Sequence, residues 1–210
     1  MDLCVVVPTM ARETNGLAYF ERTLVLNRPV FDKLLTCVYI NEADEVKMRR
    51  ALDGLVVIPR VSHDATLPFP IGSYAYWRSH LCADFMYAMR AAMTAFPECA
   101  HFAWIEDDVL LHPRFLGVWG SRDAGFAWAT CGLGATCLVF SRAHLETVAL
   151  PVVARRYLDD VPLDWMFQLF GTQTPLAEKC SFHIGVDSSQ STSCKRVDES
   201  EAYLAAGNPA

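Results

Sequence analysis

Three short runs near the start of the chain contain almost nothing that can face water: Leu3–Val7 (LCVVV), Leu34–Ile40 (LLTCVYI) and Leu55–Ile58 (LVVI). Continuous apolar runs of strand length, without the alternation of a half-exposed strand, are expected of strands covered on both faces. Pro8, Asn41 and Pro59 close them. Between the runs, 17–26 reads as a helix broken before Pro29, and 46–52 reads as a second helix stopped by Asp53-Gly54. Strand, helix, strand, helix, strand predicts an α/β fold whose parallel strands are joined by crossover helices. Such sheets usually hold a nucleotide in the first strand-to-helix loop. Neither GxGxxG nor GxxxxGK[ST] occurs, so a dinucleotide fingerprint and a P-loop are both excluded.

The remaining composition narrows the class. Apolar residues are 52% and charged residues 20% of 210, which is enough to bury a sizeable core. A formal charge of −6 argues against nucleic acid as the main partner. No run of 18 apolar residues is present, so no membrane span is expected and a soluble, cytoplasmic protein is predicted. The eight cysteines include no CxxC pair and lie partly in strand-like runs, as buried thiols of a reducing compartment would. Residues 1–194 are expected to form one domain, with 195–210 as a tail or linker.

Chemistry concentrates in His101–Leu111 (HFAWIEDDVLL), an apolar strand running directly into Glu106, Asp107 and Asp108. In an extended chain Glu106 and Asp108 share a face while Asp107 points the other way. Two hard oxygen donors at the end of an interior strand suit Mg or Mn, although an acidic turn that merely ends a strand has the same letters. A long irregular stretch, 59–73, precedes a helix over 74–96, near whose start Arg78 is placed to pair with a phosphate or a carboxylate. Gly132–Ala135 either lets a ligand approach the backbone or forms a plain turn. Asp164, the one carboxylate in an apolar helix over 163–170, is a general-base candidate or a charge favourable at a helix start. His183 is a third metal ligand or a hydrogen-bonded core histidine. The serine-rich run after Asp187 offers hydroxyls to phosphate oxygens or is a flexible tail.

Five segments in order, VVVPTMARE, YWRSHLCADFMYAM, EDD, VPLDW and FHIGVDSS, give the chain a resemblance to GT-A fold glycosyltransferases. More narrowly, it resembles the catalytic region of the N-acetylglucosaminyltransferase IV family. The resemblance covers about residues 3–193 and implies a Rossmann-like, mixed but mainly parallel central sheet flanked by helices. It also implies site roles. Pro8, Thr9, Arg12 and Glu13 would form the nucleotide loop, with Glu42 near the base and Arg78 approaching the donor. Asp107, Gly134, Ser188 and Ser189 would join them around the donor. Glu106, Asp108 and His183 would hold Mn2+ or Mg2+, and Asp164 would be the acceptor-side base.

The expected activity is metal-dependent, inverting transfer from a UDP-sugar to a hydroxyl of a glycan or glycoprotein acceptor, in a microbial or virus-encoded enzyme. A sugar nucleotidyltransferase, a non-catalytic nucleotide-sugar or glycan-binding module, and a metal phosphohydrolase are the rivals. The first of these usually needs a Gly-rich basic loop, which Arg12 with Gly16 supplies poorly.

Overall fold

The computed structural model describes residues 2–9, 17–64, 66–122, 125–131, 137–174 and 180–183. A six-stranded sheet is built from β1 (Leu3–Pro8), β2 (Leu35–Ile40), β3 (Val56–Pro59), β4 (His101–Ile105), β6 (Trp128–Thr130) and β7 (Cys137–Ser141), in the order β3-β2-β1-β4-β7-β6. The first four are mutually parallel, and β7 runs antiparallel to both β4 and β6. The expected mixed, mainly parallel α/β sheet is what forms.

Its two faces bury alternate residues of each strand, as the period of an extended chain requires. Cys4, Val6, Cys37, Tyr39, Phe102, Trp104, Leu138 and Phe140 face one side, where Phe85 and Met89 of α3 (Tyr74–Ala95) and Val153 of α6 (Leu150–Arg156) cover them. Leu3, Val5, Val7, Val38, Ile40, Ala103 and Ile105 face the other side. Phe20 and Leu24 of α1 (Ala18–Phe31), Met48 of α2 (Glu42–Met48) and Phe115 of α4 (Phe115–Gly120) join them in that core. Helices α3 and α6 thus cover one face and α1, α2 and α4 the other. The strand order reverses between β1 and β4, and in open α/β sheets the carboxyl ends of the strands beside such a reversal are where a ligand crevice forms.

Several local expectations are corrected. Helix α1 runs to Phe31 and keeps Pro29 in its last turn. The proline frees the carbonyl of Val25, a residue 64% exposed, so water can take the bond the ring forbids. α2 starts earlier than the apolar spacing suggested, because the Asn41 side chain caps it by accepting from the Asp44 amide at 2.9 Å. Ser141 caps α5 (Arg142–His144), which passes through a π-helical turn over Leu145–Ala149 into α6. The buried helix expected over 163–170 is a short 3-10 helix, Trp165–Leu169, with Trp165 and Leu169 exposed. All seven described cysteines are buried free thiols, as expected; Cys194 lies outside the described residues.

Candidate active site

The acidic stretch leaves the sheet after Ile105. Glu106 to Asp108 form a tight turn closed by the Val109 amide, which donates to the Glu106 carbonyl at 3.1 Å, and the chain resumes as β5 (Val109–Leu111). The alternation argued for an extended Glu106–Asp108 therefore does not apply: a turn, not a strand, carries the three half-buried carboxylates. The turn stands at the carboxyl end of β4, facing the crevice beside β1.

Contacts from β1 and α1 lock it there. Thr9, buried at the end of β1, donates its hydroxyl to Asp107 Oδ2 at 2.8 Å and its amide to the Tyr39 carbonyl at 2.9 Å. Thr23 Oγ1 donates to the Asp107 carbonyl at 2.6 Å. One turn further along α1, Asn27 grips β5 with both ends of its amide. It donates to the Val109 carbonyl and accepts from the Leu111 amide, each at 2.8 Å. Asp107 thus turns back into the fold. Thr23 and Asn27 went unnoticed in the sequence, yet two polar residues four apart, flanked by Phe20, Leu24 and Phe31, were a readable signal.

β5 pairs antiparallel with β8 (Ser181–His183), in a register that sets His183 opposite Val109, the residue after Asp108. The backbone therefore brings the far end of the described chain to the acidic turn. His183 is described by its backbone, so the register position is what it contributes here. Among the described side chains, no three of His, Cys, Asp or Glu gather as a metal site. Half-buried hard oxygens with an imidazole-bearing residue in register one position beyond are nevertheless a donor set that suits Mn2+ or Mg2+.

Glu42 begins α2 just past the end of β2, exposed on the same carboxyl edge of the sheet; Pro8 closes β1 beside it. Arg12, Glu13, Gly134, Ser188 and Ser189 lie outside the described residues.

Arg78 and Asp164 belong to a second group, on the first half of α3. Arg78 Nη1 donates to both the carbonyl and Oδ1 of Asp160, each at 3.1 Å, so its partner here is a carboxylate. One turn on, the Cys82 thiol is pushed up to about 12 by its burial and by the nearby Asp164 carboxylate. Residues 160–164 therefore run alongside the face of α3 that carries Arg78 and Cys82. Asp164 is half-buried rather than enclosed in an apolar helix, which corrects the expectation that it is a buried acid.

A third cluster was not anticipated. Arg60, directly after β3, forms an ion pair of 2.6 Å with Asp84 in mid-α3, both nearly buried. His63 Nε2 stands 3.3 Å from Asp84 Oδ1, in ion-pair range but outside hydrogen-bond geometry. His80 Nδ1 lies 3.0 Å from Arg60 Nη2. The same nitrogen lies 3.2 Å from Asp84 Oδ2, so it faces both a group that only donates and a carboxylate that accepts. Burial alone would raise the Asp84 pKa. Its contacts with His63, His80 and Arg60 outweigh that and hold the carboxyl well below its ordinary value. The spacing of His80 and Asp84, four apart on one helix face, was the available clue.

No protein-family profile matches the chain, and no curated protein matches it. Among solved structures, it is similar to a glycosyltransferase involved in the glycosylation of the major capsid of PBCV-1. The TM-score is 0.42 and the identity 15%, over 74% of this chain and 67% of that one. It is also similar to glucosyl-3-phosphoglycerate synthase from Mycobacterium tuberculosis, solved with Mn2+, UDP and glucosyl-3-phosphoglycerate (TM-score 0.47, 15% identity, 97% and 76% covered). A third similar structure is mannose-1-phosphate geranyltransferase from Thermus thermophilus (TM-score 0.37, 11% identity, 86% and 72% covered). Among the described residues, no helix is long and apolar enough to cross a membrane.

Proposed function

We propose that this chain is a metal-dependent glycosyltransferase of GT-A architecture, moving a sugar from a UDP-sugar to a hydroxyl of a glycan acceptor. One observation carries the reading. At the β1–β4 switch point, where open α/β sheets bind ligands, Thr9 of one strand end is bonded to Asp107 of an acidic turn on the other. A nucleotide bound in that crevice would lie against three carboxylates, which repel a diphosphate unless a cation stands between them. Glu106, Asp108 and His183 would hold that ion. When bound, it would neutralise charge building on the departing UDP.

The other roles fall to the chain itself. Thr9 and Thr23, through Asp107, fix the height of the turn relative to β1, so Asp108 is held by a bonded frame and not by a free loop. Arg12 and Glu13 would border the nucleotide, with Glu42 at its base and Ser188, Ser189 and the Gly134 segment around its phosphates and sugar. Asp164 would take the proton from the acceptor hydroxyl as that oxygen attacks the anomeric carbon opposite UDP, inverting it. General-base assistance of this kind contributes about 10²–10⁴ in rate.

The test is UDP release from a panel of UDP-sugars with Mn2+, with Mg2+ and with EDTA. Release from one donor, dependent on the ion and at least about a hundredfold slower in Asp164→Asn, is the expected result. Release of inorganic phosphate instead would point to a phosphohydrolase. No release from any donor by folded protein would leave a non-catalytic binding module.

A further inference from the structure

Two of the exposed large apolar side chains among the described residues are the rings at the start of α3. Tyr74 is 65% and Trp77 52% exposed. Exposed rings on a helix commonly sample several rotamers, but these are held. Tyr74 and Trp77 stack with centroids 5.9 Å apart and planes 18° from parallel. The Arg78 guanidinium lies over the Tyr74 ring, 3.9 Å from its centroid, and is anchored in turn on Asp160 at 3.1 Å. The result is a ladder of carboxylate, guanidinium, phenol and indole, ending in open water. Asp160 is itself held at φ 54°, a left-handed conformation that few non-glycine residues adopt.

The fold gains little from this arrangement, because half-exposed rings bury little apolar area. A fixed aromatic surface does, however, lower the entropy lost when something binds to it. Its position indicates what binds. The ladder stands on the segment leading into Asp164, which Arg78 holds at the Asp160 carbonyl (3.1 Å) and Cys82 at the Val161 carbonyl (3.9 Å), and the residue after Asp164, Trp165, is itself 66% exposed.

Resting on the transferase reading above, we infer that Trp77, held by Tyr74 and Arg78, is a stacking platform for a pyranose ring of the acceptor. A pyranose presents a face of C–H bonds that packs on an indole, and a rim of hydroxyls that hydrogen-bonds to charged groups. An indole stacked on Tyr74, with the Arg78 and Asp160 charges on the far side of that phenol, offers both within the span of an oligosaccharide. The acceptor class is therefore an oligosaccharide, in which a ring beyond the reacting one rests on Trp77 while the reacting hydroxyl is presented to Asp164. The flanking charges fit this better than a protein knob, which would leave Asp160 facing apolar surface. The net charge of −6 disfavours a nucleic acid strand on the same rings.

The experiment is a calorimetric titration with mannotriose, lacto-N-tetraose and a β1,4-linked N-acetylglucosamine tetrasaccharide, in the wild type, Trp77→Ala and Trp77→Phe. Titration with UDP and Mn2+ runs in parallel, as do sedimentation and thermal melts. At least one saccharide should bind the wild type, with Kd raised about tenfold or more in Trp77→Ala and largely restored in Trp77→Phe, at an unchanged Tm. That tenfold corresponds to the one to three kcal/mol, roughly, that ring stacking contributes elsewhere. No saccharide binding by the wild type, or equal binding by Trp77→Ala, would overturn the inference. So would a loss confined to UDP, which would make the platform a base site, or a dimer that Trp77→Ala dissociates without affecting sugar. Saccharide binding on Trp77 in a protein that releases no UDP would instead sink the transferase reading while the platform stood.

Discussion

Asn27→Ala is the sharpest test of how the acidic turn is held. The side-chain amide makes two bonds of 2.8 Å to the backbone of β5, and the residue is only 1% exposed. Removing it leaves the Val109 carbonyl and the Leu111 amide without that partner, in a buried part of the core. An unsatisfied buried group costs about 1–3 kcal/mol, so the pair amounts to roughly 2–6 kcal/mol. In a chain of this size each kcal/mol lowers Tm by about 2–4 °C, giving a fall of about 4–24 °C. Thr94→Ala is the control. It too removes a side-chain bond to backbone, from Thr94 Oγ1 to the Arg90 carbonyl at 2.9 Å, but on an exposed helix face, where about 0.5 kcal/mol or less is expected. Urea unfolding of both variants, with m unchanged, supplies the two numbers. An Asn27→Ala variant within about 0.5 kcal/mol of wild type would refute the idea that this amide fixes β5.

Other expected outcomes follow from the same geometry. Asp84→Asn breaks a nearly buried ion pair with Arg60 and should lower stability by about 3 kcal/mol, seen as a Tm loss of roughly 6–12 °C. Because the folded Asp84 carboxyl lies below its ordinary value, its contribution is full above the unfolded carboxyl's pKa of about 3.9. That contribution is lost as pH falls through the lower folded value. Stability measured from about pH 6 down to about pH 2 should therefore fall more steeply in the wild type than in Asp84→Asn, and parallel curves would count against the assignment. Gly54→Ala should cost about 1–2 kcal/mol by denaturant titration, since Gly54 sits at φ +76° with Arg28 Nη2 3.1 Å from where a Cβ would stand.

Much of the architecture was legible because burial on both faces leaves no choice of residue. LCVVV, LLTCVYI and HFAWI could be little other than central strands, and the apolar spacing from Trp77 to Phe96 could be little other than a long helix. Misjudged elements were those decided by a single local contact. α2 depends on the Asn41 cap, and the persistence of α1 through Pro29 depends on an exposed carbonyl. The acidic stretch was recognised for its chemistry but mistaken in shape. Alternation applies only while the chain stays extended, and the Val109–Glu106 bond folds it into a turn. Pairing of β5 with β8 links residues about 70 positions apart, which no local pattern reveals. Polar residues that act through burial, such as Asn27 and Asp84, resemble ordinary helix-surface residues until their neighbours are known.

In the proposed mechanism a nucleoside diphosphate binds at the β1–β4 switch point through a cation held on the acidic turn. Calorimetric titration of UDP into wild type and Asp108→Ala, each with Mn2+ and with EDTA, tests it most directly. The wild type should bind UDP in a way that EDTA removes, and a folded Asp108→Ala protein should bind it at least about tenfold, or about 1.4 kcal/mol, more weakly. UDP affinity that is the same with Mn2+ and EDTA, or the same in both proteins, would contradict it.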